Sequence, residues 1–217
     1  MITLKKLLIA VLIVFIIFII YLSNVDKEIY YVNISNDDKY TDNIINYLKE
    51  NDIYQYFYNY TNDKLRIVDI YNGIKSNDKI NDITLKQALI KADLTTIYLG
   101  QNDIYNILLL DNYSKREKYK YIDEYMVQLD SMLEIIRKYC KEDIYFIENI
   151  NVHKDMDIDL YVNYLNDESR KLADKYNIYF IKLEDIYNFI DNDITNDGYN
   201  YISNQIITRI KQDILDK

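Results

Sequence analysis

Three glycines and no proline punctuate this chain of 217 residues, so each glycine marks a place where the backbone needs what glycine alone supplies. Gly100 closes an apolar run, Leu94-Thr-Thr-Ile-Tyr-Leu99, and Asn102 and Asp103 follow it at once. A strand that stops at a glycine and then presents polar side chains puts them at the carboxyl edge of a sheet, where open α/β sheets hold their sites. Gly73 follows Asn72 in a second turn signal, and Gly198 follows Asn196-Asp197 in a third.

Around these points, strand-like and helix-like runs alternate. Glu28–Ile34 is rich in strand formers, and Tyr40–Leu48 carries apolar residues at helical spacing. Leu65–Tyr71 reads as the second strand, ending at Asn72-Gly73. Thr84 caps a short helix through Ala92, which leads into the third strand at Leu94–Leu99. A long helix covers Glu117–Cys140 and buries Ile122, Tyr125, Met126, Leu129, Met132, Leu133 and Ile136 along one face. The fourth strand is Asp143–Ile147 and the fifth Asn177–Lys182. A helix containing Leu160, Leu165 and Leu172 joins them, and a last helix runs from Tyr199 to Leu215. Strands alternating with crossover-length helices predict a three-layer α/β sandwich on a mainly parallel sheet of five strands.

Ahead of this domain, Leu7–Leu22 is an unbroken apolar run preceded by Lys5 and Lys6. Its Leu, Ile, Val and Phe residues together favour membrane insertion by about 4 to 8 kcal/mol, and the lysines place the N-terminus in the cytoplasm. Residues 1–25 therefore read as a cytoplasmic stub and single transmembrane anchor, and residues 26–217 as one extracytoplasmic domain. The net charge of −9 argues against nucleic acid as a partner. Cys140 stands alone on an apolar helical face and reads as a buried thiol. The 25 tyrosines read as a product of residue usage rather than as an aromatic binding surface. No cofactor is implied, and no metal motif either, although Asp37, Asp38, Asp103 and Asp197 are candidates to gather at one sheet edge.

The segment Ile90-Lys-Ala-Asp-Leu-Thr-Thr-Ile-Tyr-Leu-Gly-Gln-Asn-Asp103 resembles the third conserved block of the SGNH or GDSL hydrolase superfamily, an apolar strand ending in Gly-x-Asn-Asp. Asn72-Gly73-Ile-Lys-Ser-Asn-Asp is similar to the second block, and Thr195-Asn-Asp-Gly-Tyr-Asn200 to the fifth, Asp-x-x-His. The resemblance spans nearly all of residues 28 to 215. It implies a flavodoxin-like sheet, Gly73 and Asn102 as oxyanion donors, Gly100 and Asp103 as the turn and its brace, and Asp197 as the acid of the triad. The reactive groups depart from the pattern. In the first block Asp37 stands where the nucleophilic serine belongs and Ser35 where its glycine belongs. In the fifth block Asn200 replaces the histidine, and an amide cannot take a proton from a nucleophile near neutral pH.

Two functions follow from this pattern. One is a membrane-anchored domain without hydrolase activity, acting as a binding or assembly module toward an envelope glycan or another envelope protein. The alternative is an esterase or deacetylase acting on envelope glycans or lipids, with Ser35 and His153, or a metal held by the aspartates, in place of the family's machinery. The alternative requires Ser35 and His153 to meet within hydrogen-bond reach near Asn102.

Overall fold

The computed structural model describes residues 11–12, 14–15, 27–77, 79–80, 82–153 and 158–211. The apolar run expected to cross the membrane lies outside the described residues except for Val11, Leu12, Val14 and Phe15, which are helical and exposed. Among the described residues no helix is long and apolar enough to cross a membrane.

The chain order is β1 (Lys27–Ser35), α1 (Thr41–Glu50), β2 (Ile53–Thr61), α2 (Ile67–Ser76), a small hairpin of β3 (Lys79–Ile80) and β4 (Ile83–Thr84), and α3 (Leu85–Lys91). It continues through β5 (Leu94–Tyr98), α4 (Gln101–Leu108), α5 (Lys115–Tyr139), β6 (Asp143–Ile147), α6 (Asp159–Lys175), β7 (Tyr179–Ile181), a 3-10 turn at Ile186–Phe189, and α7 (Asn196–Ile210). Five parallel strands form the sheet in the order β2-β1-β5-β6-β7. With the hairpin set aside this is the flavodoxin-like order, whose direction reverses between β1 and β5. Residues 31–35 of β1 and all of β5 are buried on both faces, as strands covered by helices on both sides must be. Alternate residues of β1 feed two cores. Val32 and Ile34 pack with α2, α3, α5 and α6, and Tyr31 packs with α1 and α7.

The helix expected after Thr84 forms as read, with Thr84 Oγ1 accepting from Gln87 N–H and the Gln87 side chain returning the bond, a capping box. The buried face of α5 is the expected one, with Met126 only partly covered. In α6, Leu165 is buried but Leu160 is 60% exposed.

The second strand is a correction. Leu65–Tyr71 is not a strand: Ile67, Ile70 and Ile74 bury the inner face of α2, and Gly73 sits inside that helix. The chain reverses only at Asn77, which adopts the left-handed conformation (φ 60°) and closes the helix against Gly73 C=O. The true second strand, Ile53-Tyr-Gln-Tyr-Phe-Tyr-Asn-Tyr-Thr61, is a tyrosine-rich run of strong β-formers.

Candidate functional site at the carboxyl edge of the sheet

The reversal point between β1 and β5 is built around Gly100. The chain leaves β5 at φ +119° and enters α4 directly. A Cβ here would lie 2.5 Å from Tyr125 Oη and 2.9 Å from Asn149 Oδ1, so both conformation and space demand glycine. This turn delivers Asn102 and Asp103 in the first turn of α4, beside the loop that follows β2.

Asn102 holds that loop. Its Nδ2 donates to the carbonyls of Asp63 (2.7 Å) and Leu65 (3.1 Å). Asn36, the first residue beyond β1, reaches the same carbonyl: its Nδ2 lies 2.6 Å from Leu65 O, while its own N–H donates to Tyr98 O at 3.0 Å. Asp103 caps α2, with both carboxylate oxygens 3.3 Å from Ile67 N. Burial pushes its pKa up to about 6 against the opposing pull of that N–H and of Arg66. The amide that the resemblance implies as an oxyanion donor is therefore engaged with protein carbonyls. Gly73 lies in the second turn of α2, where its N–H belongs to the helix ladder.

Asp37 follows Asn36 and is partly exposed. Its carboxylate accepts a hydrogen bond from Tyr199 Oη and pairs with Lys39 Nζ at 3.3 Å, while the same ammonium lies 4.9 Å from the Tyr199 ring centroid. Burial, and then the neighbouring Asp37 charge, raise the Tyr199 phenol well above its ordinary range. Asn200 turns elsewhere and accepts from Asn43 Nδ2 of α1 at 2.7 Å. Asp197 is exposed in the first turn of α7, and Asp38 accepts from Asn59 Nδ2. The four aspartates thus hold four separate posts, and among the described residues no group of three or more His, Cys, Asp or Glu side chains gathers to hold a metal.

Ser35 is completely buried. Its hydroxyl accepts from Asn33 Nδ2 at 2.8 Å and shares a bond with Thr61 Oγ1 at 3.0 Å. His153 is exposed in the loop beyond β6, its ring centroid 6.3 Å from that of Tyr105. Ser35 and His153 do not meet. Cys140 is buried beside Thr95, and burial pushes its thiol up, as its place on an apolar face implied.

Sequence reasoning missed Tyr199 and Asn36. Tyr199 sits within the fifth-block window, one residue before Asn200, and the helical phase of α7 decides which of the two faces the sheet. On the same carboxyl side, an open cleft of about 470 Å³ adjoins the ends of β6 and β7, lined among others by Glu148, Asn166, Arg170, Lys182 and Tyr187. Chemically, this edge offers amides, a charge-balanced carboxylate and a mixed-charge cleft.

No protein-family model matches the sequence, and no curated protein matches it. Solved structures match the fold. A catalytic mutant of Axe2, an acetylxylan esterase from Geobacillus stearothermophilus, superposes with a TM-score of 0.64 at 13% identity, covering 85% of this chain and 94% of that one. LAE5, an α/β hydrolase enzyme from the metagenome of Lake Arreo, gives 0.59 at 13% identity over 84% and 94% of the two chains. A lipase/acylhydrolase from Enterococcus faecalis gives 0.57 at 14% identity over 86% and 96%. At such identities the likeness is one of fold alone, the α/β fold of these esterases and acylhydrolases.

Proposed function

We propose that this chain is a hydrolase-fold domain that no longer hydrolyses, held at the membrane by the apolar run Leu7–Leu22 and serving as a binding or assembly module at the cell envelope. One observation carries this reading: the serine nearest the end of β1 is sealed into the sheet by Asn33 and Thr61, while the single histidine stands apart from it against Tyr105. An acyl transfer of the triad kind needs a hydroxyl hydrogen-bonded to a base, beside donors left open for the developing oxyanion. Here the hydroxyl is bonded to an amide and a threonine, and Asn102 Nδ2 is bonded to the loop after β2. Asp37 and Asn200, which stand where the resemblance expects serine and histidine, bond to different partners.

The cleft beside β6 and β7 supports binding of a polar ligand. Arg170, Lys182, Glu148 and Asn166 bring both signs of charge and amide groups to one concave surface, the chemistry that a hydroxyl-rich glycan meets with hydrogen bonds. The relatives in fold act on acetylated xylo-oligosaccharides and acyl groups, which makes acetylated oligosaccharides the ligand class to try first. The full-length chain in detergent is expected to leave p-nitrophenyl acetate and acetylated xylo-oligosaccharides intact at the buffer rate. Turnover that disappears in Ser35→Ala would overturn the reading in favour of a serine esterase. The anchor is tested separately: the chain should remain with membranes through alkaline carbonate extraction, and its release would remove the membrane part of the proposal.

A further inference from the structure

A groove passes the end of β7 from α6 to α7. The cleft beside β6 and β7 continues into a second open cleft of about 480 Å³, and both are lined by Arg170, Phe180, Lys182 and Glu184. Each is roomy enough for a sugar ring, since small-molecule sites run from about 300 to 1,000 Å³. Phe180 is half-buried and stacks on Phe146, with ring centroids 6.1 Å apart. The walls are tied as well. Asn166 Oδ1 accepts from Asn149 N, and its Nδ2 donates to Asn149 O, both at 2.9 Å. Glu148 Oε1 accepts from Leu183 N at 2.7 Å, and Tyr201 Oη accepts from Asp185 N at 3.3 Å. A groove held at these points needs little ordering to receive a ligand.

The two clefts differ in chemistry. In the first, Tyr187, 44% exposed, adds an aromatic face to the amides of Asn163 and Asn166, a surface that meets the apolar face of a sugar ring and hydrogen-bonds its hydroxyls. In the second, Arg209 of α7 joins Arg170 of α6 and Lys182 from the segment after β7. These three cations face two acids there, Glu184 and Asp185, a positive balance in a chain whose net charge is −9. Of the other carboxylates beside the groove, Asp167 pairs with Arg170, and Glu148 is bonded to Leu183 N with its carboxyl pushed up by burial. A guanidinium with five donors can hold Asp167 and a ligand oxygen together. We propose that the groove binds an acidic oligosaccharide, with a hydroxylated ring on Tyr187 and the carboxylate of an adjoining uronic acid among Arg170, Lys182 and Arg209. This rests on the binding-module reading above and narrows its ligand from glycans in general to those that carry uronic acids.

The test is isothermal titration calorimetry of the full-length chain in detergent. Tetragalacturonate is expected to bind saturably, and its carboxyl-reduced counterpart, which differs only in charge, about tenfold more weakly. Lys182→Glu should weaken tetragalacturonate binding by about tenfold as well. Lys120→Glu makes the same change of charge at an exposed position of α5 and should leave binding unaltered. Failure of tetragalacturonate to bind, equal binding of the charged and reduced tetramers, or equal binding by Lys182→Glu and Lys120→Glu would each overturn the proposal. The reading beneath it fails by a different result, serine-dependent turnover of p-nitrophenyl acetate, so the two failures are distinguishable.

Discussion

Two regions below the carboxyl edge of the sheet treat buried polar groups in opposite ways. Under the end of β1, Asn33 accepts from Tyr40 Oη (2.6 Å) and Thr96 Oγ1 (2.9 Å), and donates to Ser35, Asn59 and Thr61. Tyr31 joins through Thr96. Under the end of β5, Tyr125 Oη and both amide atoms of Asn149 are buried beside Gly100 with no partner among the described groups. The first region is a closed polar network, which holds a unique arrangement because every member is satisfied. The second is packed to contact with its hydrogen-bonding capacity unspent. Ser35, which reads in the sequence as a candidate nucleophile, belongs to the closed region, bonded to Asn33 and Thr61.

The contrast breaks most visibly at Asn33. Asn33→Leu removes the hub and leaves several buried hydroxyls and an amide without partners, at about 1–3 kcal/mol for each group that cannot rearrange. A loss of about 4 kcal/mol in urea unfolding is expected. Gly100→Ala asks whether the second region is full rather than empty. With a left-handed φ and a Cβ inside contact distance of two side chains, about 3 kcal/mol should be lost. Fluorescence-detected thermal unfolding would show it.

Asp103 links the two regions by capping α2 from the first turn of α4. Its folded pKa of about 6 lies above the value of about 3.9 for an unfolded aspartate. Between those values the folded state binds more protons than the unfolded chain. The stability conferred by protonation is thus complete below pH 4 and lost as pH rises through 6. Asp103→Asn should cancel that fall, becoming more stable than the parent by about 1–3 kcal/mol at pH 7 relative to the difference at pH 4. Paired unfolding curves across this range check it. The smallest effect sharpens the comparison most: Asn149→Leu exchanges an unpartnered amide for an apolar side chain of similar size. It should change stability by less than about 1 kcal/mol, since no hydrogen bond to another protein group is lost. A loss comparable with that of Asn33→Leu would mean that the two regions are not different.

Much of the fold was legible because its signals are local. The cap at Thr84, the apolar stripe of α5 and the turn at Gly100 each need only a few neighbouring residues to be read. β2 was not legible because the alternation in Ile53–Thr61 is carried by half-polar tyrosines between Gln55, Phe57 and Asn59, a weaker apolar signal than Leu65–Tyr71, and α2 was hidden because Asn72-Gly73 signals a turn that tertiary packing overrides with a helix. The position of Asn102 could be read from Gly100-Gln-Asn-Asp103, but its work could not: its partners are carbonyls at Asp63 and Leu65, contacts that exist only once the sheet has formed. Likewise, the neighbours that choose Tyr199 rather than Asn200 to face Asp37 come from α1 and β1, far away in sequence.

The claim that this carboxyl edge has exchanged reactive groups for structural ones is tested most directly by fluorophosphonate labelling of the full-length, folded chain, read by intact mass and peptide mapping. The account predicts no adduct, because Ser35 is sealed beneath the edge and bonded to Asn33 and Thr61. A single stoichiometric adduct on Ser35, or on any other serine, would contradict it and make the chain a serine hydrolase.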